Sequence, residues 1–211
     1  MTSKVPAWLA TRLAALVVAV GITGGGTYWA SKTTDEAMRD QYVTAVAADT
    51  STSLAVKLAM VMGRYYESSG EHYGRPYVDT NGKGRPLTVC NGVTGAGVVS
   101  GRYYSPADCY RLEKARYLRV EAFAQSRLIY WPTYDPFVQA TFIDFIWNKG
   151  EGNFSASTML RKANAGDLVG ACRENPRWNR GTVNGVSTVL PGLVVRGEAN
   201  GEMCADWRID P

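Results

Sequence analysis

Two carboxylates and a hydroxyl carry the first hint of chemistry in this sequence. Glu67 closes an amphipathic run, SLAVKLAMVMGRYYE, Asp79 follows in PYVD, and Thr88 sits on the next short β-type run, LTV. Carboxyls carried by different elements can flank a groove without sharing one environment. Glycoside hydrolysis needs that arrangement: one carboxyl holds a proton near neutral pH, while the other stays ionised beside a water. By spacing alone the same pair also reads as two solvated surface acids. Metal chemistry is not indicated. Cys90, Cys109, Cys172 and Cys204 form no C-x-x-C, and the chain has 1 histidine, so a zinc cluster lacks ligands.

Elements must hold these groups. The chain has 211 residues, 45% hydrophobic and 20% charged, enough for one core plus a tail and short for two ordinary domains. The 23 Lys and Arg against 19 Asp and Glu leave a net charge of +4. Without a dense basic run, that excess does not argue for nucleic acid. Leu54, Leu58, Val61, Met62 and Tyr65 recur at helical spacing and stop at Ser68-Ser69-Gly70. Glycines and prolines then punctuate short β-type runs at Pro76-Tyr77-Val78 and Leu87-Thr88-Val89, predicting a small antiparallel sheet.

Helices are predicted for most of the remaining chain. Ser105-Pro106-Ala107-Asp108 combines an N-cap, a proline at the first helical position and an acid on the positive end, for a helix running to Tyr130. Asp135-Pro136 repeats the signal. Ser155 or Ser157 opens another helix that Gly166 closes, and Asp167 caps the next, through Cys172. A loop over 180–191 precedes a last short helix with Arg196 and Cys204. Helices and a segregated sheet make an α+β domain.

The amino-terminal end reads differently. Residues 13–30, LAALVVAVGITGGGTYWA, carry no charge over 18 positions, about 27 Å as helix against a hydrocarbon core of about 30 Å. Lys4 and Arg12 precede the segment, while Lys32, Asp35 and Glu36 follow it, so the amino terminus should stay cytoplasmic. A cleaved signal peptide competes, but Tyr28 occupies a position where cleavage needs a small residue, and Tyr28 and Trp29 suit an interfacial anchor. Ten of the 18 residues are Gly, Ala or Thr, which bury little area, so the hold on the bilayer should be weak. Residues 1–30 are thus expected to be a releasable anchor, 31–50 a helical or mobile tether, and 51–211 the folded domain. The four cysteines all lie beyond the apolar segment. They read as two disulfides with three possible connectivities, of which nearest-neighbour pairing, Cys90–Cys109 and Cys172–Cys204, is preferred over four buried thiols.

Longer motifs add a resemblance. The run Glu67…PYVD…LTVCNGVTG is similar to the phage lysozyme family, glycoside hydrolase family 24, in which a helix-ending Glu precedes Y-x-D and a T-x-G/C-x-G run. FIDFIWNKGEGNFSASTMLRKANAGDLVGAC, residues 142–172, resembles that family's second signature, and LPGLVVRGEANGEMC its closing stretch. The resemblance implies a lysozyme-like fold, with a small antiparallel sheet lobe and a mainly helical lobe. It implies hydrolysis of the β-1,4 bond from N-acetylmuramic acid to N-acetylglucosamine in peptidoglycan, without metal or cofactor. Glu67 would be the general acid, Asp79 would position or deprotonate the attacking water, Thr88 would help hold that water, and Asn148 would touch the sugar chain. Inversion would follow, with carboxyls about 6.5–9.5 Å apart.

Two departures stand out. Glu67 to Asp79 encloses eleven residues and Asp79 to Thr88 eight, each three more than the family pattern, read as insertions SSGEHYG and TNGKGRP. Glu71 is therefore a rival acid; Glu67 is preferred because a helix end fixes a catalytic group better than a Gly-flanked loop. The second departure is Ser68, where the family has Gly.

Other residues take plainer readings. His72 is expected at the surface. Trp131, Trp147, Trp178 and Trp207 are expected in the core, with Trp147 able to line the cleft. Arg196 reads as an exposed helix arginine, with an ion pair to the acid as the alternative.

With its weakly apolar leading helix, the chain resembles signal-anchor-release endolysins: held in the host inner membrane with the catalytic part periplasmic, then freed as a periplasmic monomer. Activation is expected from rearrangement around Glu67. A lytic transglycosylase, which should tolerate loss of Asp79, and a non-catalytic, membrane-anchored peptidoglycan-binding protein are the alternatives.

Overall fold

The helix that ends in Glu67, α3 (Leu54–Ser68), forms where its sequence signals it. Ser53 adopts extended backbone and its hydroxyl accepts the Val56 N–H, satisfying a donor that the first turn would otherwise leave unpaired. At the far end Ser69 turns left-handed at φ 54°, and its N–H donates to the Arg64 and Tyr65 carbonyls. In this computed structural model the described residues are 2–21, 34–69, 71–79, 85–183 and 185–208.

Helix α3 packs on α5 (Pro136–Lys149) at the centre of the molecule. Residues Phe137, Val138, Phe142, Ile143, Phe145 and Ile146 of α5 are buried around its whole circumference, as expected of a central helix. Helix α4 (Pro106–Arg127) crosses both. Its N-terminus carries a full capping box, Ser105 with Asp108. It stops at Arg127 rather than Tyr130, because Leu128 goes extended at φ −98°, ψ 108° while its N–H still bonds the Ala124 carbonyl. Gly63 sets the α3–α4 approach: a Cβ there would lie 2.0 Å from the Tyr117 hydroxyl.

The small antiparallel sheet has the order β1 (Tyr77–Val78), β2 (Leu87–Val89), β3 (Val93–Thr94), with Tyr77 opposite Thr88 and Thr88 opposite Thr94. Beyond α5 come α6 (Glu151–Ser155), α7 (Thr158–Asn164), capped by Ser157, and α8 (Leu168–Cys172), capped by Asp167. Residues 180–191, expected to be a loop, instead form a hairpin, β4 (Arg180–Val183) with β5 (Val186–Val189), ahead of α9 (Pro191–Asp206). The hairpin follows from Gly185, at φ 80°, between two β-branched runs; a glycine in the left-handed region suits a tight hairpin turn. The disulfides are Cys90–Cys109 and Cys172–Cys204, each with Cα atoms 5.4 Å apart.

The amino-terminal stretch is part of this assembly. Helix α1 (Ala7–Gly21) lays Leu9, Leu13 and Leu16 into the core, a stripe at i, i+4 and i+7. Trp8 stacks on Tyr65 of α3 at 5.2 Å, and Glu198 of α9 pairs with Lys4 at 3.5 Å. The expected tether carries helix α2 (Thr34–Ala48), whose Tyr42 and Val46 are fully buried. Val43, Ala45 and Ala47 pack beside them against the core. No described helix is long and apolar enough to cross a membrane. The Gly24-Gly25-Gly26 run and the Tyr28-Trp29 pair lie outside the described residues, as do 80–84 of the second insertion.

Candidate active site

Glu67 occupies the last turn of α3, a position braced by the Ser68 hydroxyl, which donates to the Arg64 carbonyl at 2.7 Å. Its side chain is 33% exposed, and Oε1 accepts from Arg196 Nη1 at 2.7 Å. Arg196 is not the exposed residue that its place on α9 suggested. It is 5% exposed, with Nε and Nη2 donating to the two oxygens of Asp144 at 2.9 and 2.7 Å. Asp144 has no exposed surface and takes a third bond from Asn200 Nδ2 at 2.6 Å. The Asn200 carbonyl in turn accepts from Tyr66 at 3.2 Å, and the guanidinium lies 4.9 Å from the Tyr66 ring centre.

Burial acts against the Arg196 charge, but Asp144 and then Glu67 outweigh it, so the guanidinium is held charged above its ordinary range. The Tyr66 hydroxyl moves up through burial, with Asp144 adding to the effect. Buried charges persist only when paired and hydrogen-bonded. Here α3, α5 and α9 each contribute a member, so the acid is fixed by three helices at once.

Glu67, Asn91, Gly92, Arg116, Trp147 and Asn148 line a cleft of about 310 Å³. Trp147 forms a wall, stacked on Tyr117 at 4.1 Å with rings 5° from parallel. Asn91 follows β2 and is gripped from beneath. Its N–H and Nδ2 donate to Glu113 at 3.1 and 3.0 Å, while the Tyr42 hydroxyl of α2 donates to the other Glu113 oxygen. Burial raises Glu113 above the usual carboxylate range, and the Tyr42 and Asn91 bonds work against that rise.

The sheet carries the remaining expected residues. The Asp79 N–H donates to the Pro86 carbonyl at 3.0 Å, extending the β1–β2 pairing past Val78. Thr88 is buried, and its hydroxyl donates to the same carbonyl at 3.1 Å. Burial raises the hydroxyl of Tyr77, opposite Thr88, and the charges of Asp79 and Glu67 raise it further. Glu67 and Asn148 thus share the cleft lining, while Asp79 follows the edge strand β1 and Thr88 lies on the central strand β2 of the small sheet. Glu71 is exposed in the loop after α3, where it accepts from the Tyr73 hydroxyl at 3.0 Å. His72 is half-buried rather than at the surface, with Nε2 2.8 Å from the Tyr104 carbonyl.

Sequence reasoning missed Asp144, Asn91, Glu113 and Arg116. A signal existed for the first: one acid inside the apolar run FIDFIW must find a cation. The others depend on contacts between distant segments.

The Phage lysozyme family profile matches residues 70–200. A SAR-endolysin of Bacteriophage PS119 is 33% identical over 138 residues, covering 62% of this chain and 72% of the relative. Among solved structures, the active form of the P1 phage endolysin Lyz superposes with a TM-score of 0.62 at 19% identity, over 85% of this chain and 96% of that one. A muramidase domain from Asticaccaulis excentricus gives 0.60 at 17% identity, over 72% and 95%. A helical lobe holding an acid on a helix end, a small antiparallel sheet beside it and a profile spanning more than half of the sequence agree: the chain belongs to the phage lysozyme family.

Proposed function

We propose that this protein is an endolysin, a muramidase that lyses its bacterial host by hydrolysing the β-1,4 bond between N-acetylmuramic acid and N-acetylglucosamine, with Glu67 as the acid. The observation that carries the assignment is the fixed position of Glu67: a carboxyl on a braced helix end, lining a cleft and held by an arginine that Asp144 and Asn200 anchor from behind. Glu67 protonates the departing glycosidic oxygen. Asp79 activates water from the opposite face, and Thr88 helps hold that water through its lone pairs. Asn148 and Trp147 meet the sugar rings. This division of labour between two carboxyls in different surroundings is the one glycoside hydrolysis needs. Glu71, exposed and on a loop, has no comparable bracing.

The assay is clearance of outer-membrane-permeabilised cells by the full-length protein, with Glu67→Gln, Glu71→Gln and Asp79→Asn in parallel. Glu67→Gln and Asp79→Asn should abolish or nearly abolish clearance, and Glu71→Gln should leave it. Full activity in Glu67→Gln would overturn the assignment. Mass spectrometry of the digest should show hydrated reducing ends; anhydro sugars, with Asp79→Asn active, would favour the transglycosylase reading.

The second part of the proposal concerns place. Residues 13–30 first hold the protein in the host inner membrane with the catalytic part in the periplasm, and the docked α1 belongs to the periplasmic, monomeric enzyme after release. Leu9, Leu13 and Leu16 cannot face lipid and the core together, which supports two alternative states. If release controls lysis, replacing Gly24, Gly25 and Gly26 by Leu should delay it after induction; unchanged timing would refute that step.

A further inference from the structure

Among the described residues, one arginine in the cleft is held by no acid. Arg116 of α4 lines the pocket with Glu67 and Trp147. Nη1 donates to the Gly92 carbonyl at 3.4 Å and Nη2 to the Thr94 carbonyl, which fixes the plane of the guanidinium against the β2–β3 turn. Those bonds use two of its five N–H donors. No described carboxylate lies within ion-pair distance of it. The acid beneath it, Glu113, is consumed: its oxygens take the Tyr42 hydroxyl, the Asn91 N–H and the Asn91 amide. Glu67 is held by Arg196 instead.

An uncharged glycan in this cleft would leave the guanidinium unmatched. Burial and then the neighbouring Arg119 act against the Arg116 charge, and the attraction of Glu113 offsets them only in part, so an anion entering the cleft relieves an existing cost. A planar guanidinium with spare donors matches a carboxylate better than any other substrate group.

We infer that Arg116 is a specificity residue that binds a carboxylate carried by the muramyl unit of the substrate. The inference rests on the muramidase reading. Two carboxylates have this chemistry, those of the peptide stem in intact wall and that of the lactyl ether once the stem is removed.

Kinetics on three substrates test it: intact peptidoglycan, glycan strands stripped of stems by an amidase, and peptidoglycan whose carboxylates are capped as neutral methylamides. Arg116→Gln should raise KM on intact wall about tenfold, with a smaller change in kcat, and Arg116→Lys should recover part of the loss. On the capped wall the wild type and Arg116→Gln should have the same KM. A difference that survives on stripped strands assigns the lactyl carboxylate; one seen only on intact wall assigns the stem. Equal KM on both intact wall and stripped strands, or a defect of Arg116→Gln undiminished on the capped wall, would overturn the inference and leave Arg116 a brace for the turn. If the wild type cuts none of these, the muramidase reading fails, and co-sedimentation of both proteins with intact and capped wall still decides the role of Arg116.

Discussion

Replacing Asp144 by Ala should destabilise the protein more than any other single change at the site. The substitution removes the acceptor for Arg196 Nε at 2.9 Å, Arg196 Nη2 at 2.7 Å and Asn200 Nδ2 at 2.6 Å. It leaves a guanidinium that is 5% exposed with Glu67 as its one remaining acid among the described residues. Breaking a buried pair from one side costs about 3–5 kcal/mol. At about 2–4 °C per kcal/mol for a chain of this size, the melting temperature should fall by about 6–20 °C. Removing both charges should cost less, because apolar side chains of similar volume can replace a buried pair at little net loss. Asp144→Leu with Arg196→Met should therefore recover at least half of the lost melting temperature. Activity should separate from stability in that double variant. Under the proposed mechanism Glu67 loses the cation that aims it, and misplacement of a catalytic group on the ångström scale costs on the order of 10²-fold. Calorimetry with the disulfides intact and the turbidity assay read the two effects. A melting temperature for Asp144→Ala within about 2 °C of wild type, or a double variant less stable than either single one, would refute the reasoning.

Gly63→Ala should destabilise by about 1–3 kcal/mol, against the gain of about 1 kcal/mol expected of alanine in a helix, because the new Cβ meets the Tyr117 hydroxyl at 2.0 Å; a raised urea midpoint would refute this. His72, the 1 histidine in the chain, should titrate below 6.5, since burial and then Arg64 disfavour its charge more than the Tyr104 carbonyl favours it. Its neutral form therefore contributes stability that is present above the unfolded value and is lost as pH falls below it. Proton NMR of its ring should give the midpoint, and His72→Gln should flatten the stability profile below pH about 6.5. Opening Cys172–Cys204, which spans a sequence separation of 32, by a double Ser substitution should cost about 3–4 kcal/mol on loop-closure grounds; an unchanged denaturant midpoint would contradict that.

Local rules were readable in advance where one residue satisfies its own neighbourhood. Ser105, Asp135 and Asp167 cap the helices expected of them, and of the two serines offered for the next helix Ser157 is its cap, since an N-cap needs nothing beyond three residues of chain. Cys90 and Cys109 paired as preferred. The fates of Arg196 and of residues 34–48 were hidden for the opposite reason. An arginine flanked by Val195 and Gly197 looks like any exposed helix residue until Asp144, 52 positions away, is folded beneath it. Likewise α2 is polar enough for a tether, and only two buried side chains, Tyr42 and Val46, tie down its described face. Composition averages over such residues, while packing depends on them individually.

The bond from Tyr42 to Glu113 has a practical consequence for anyone trimming this protein. The family profile begins at residue 70, which invites a minimal version cut near that point. Such a cut discards α1, α2 and α3 together, and even a gentler one at Ser53 would take away Tyr42. Glu113 would keep its bonds to Asn91, but the oxygen that also takes the Tyr42 hydroxyl would lose that donor and open onto the vacated helix site. Water entering there would loosen the floor under the glycan-facing turn without touching any residue that meets the sugar. Homology boundaries and functional boundaries therefore part company here, and a shortened form should be judged by its affinity for wall as well as by its solubility.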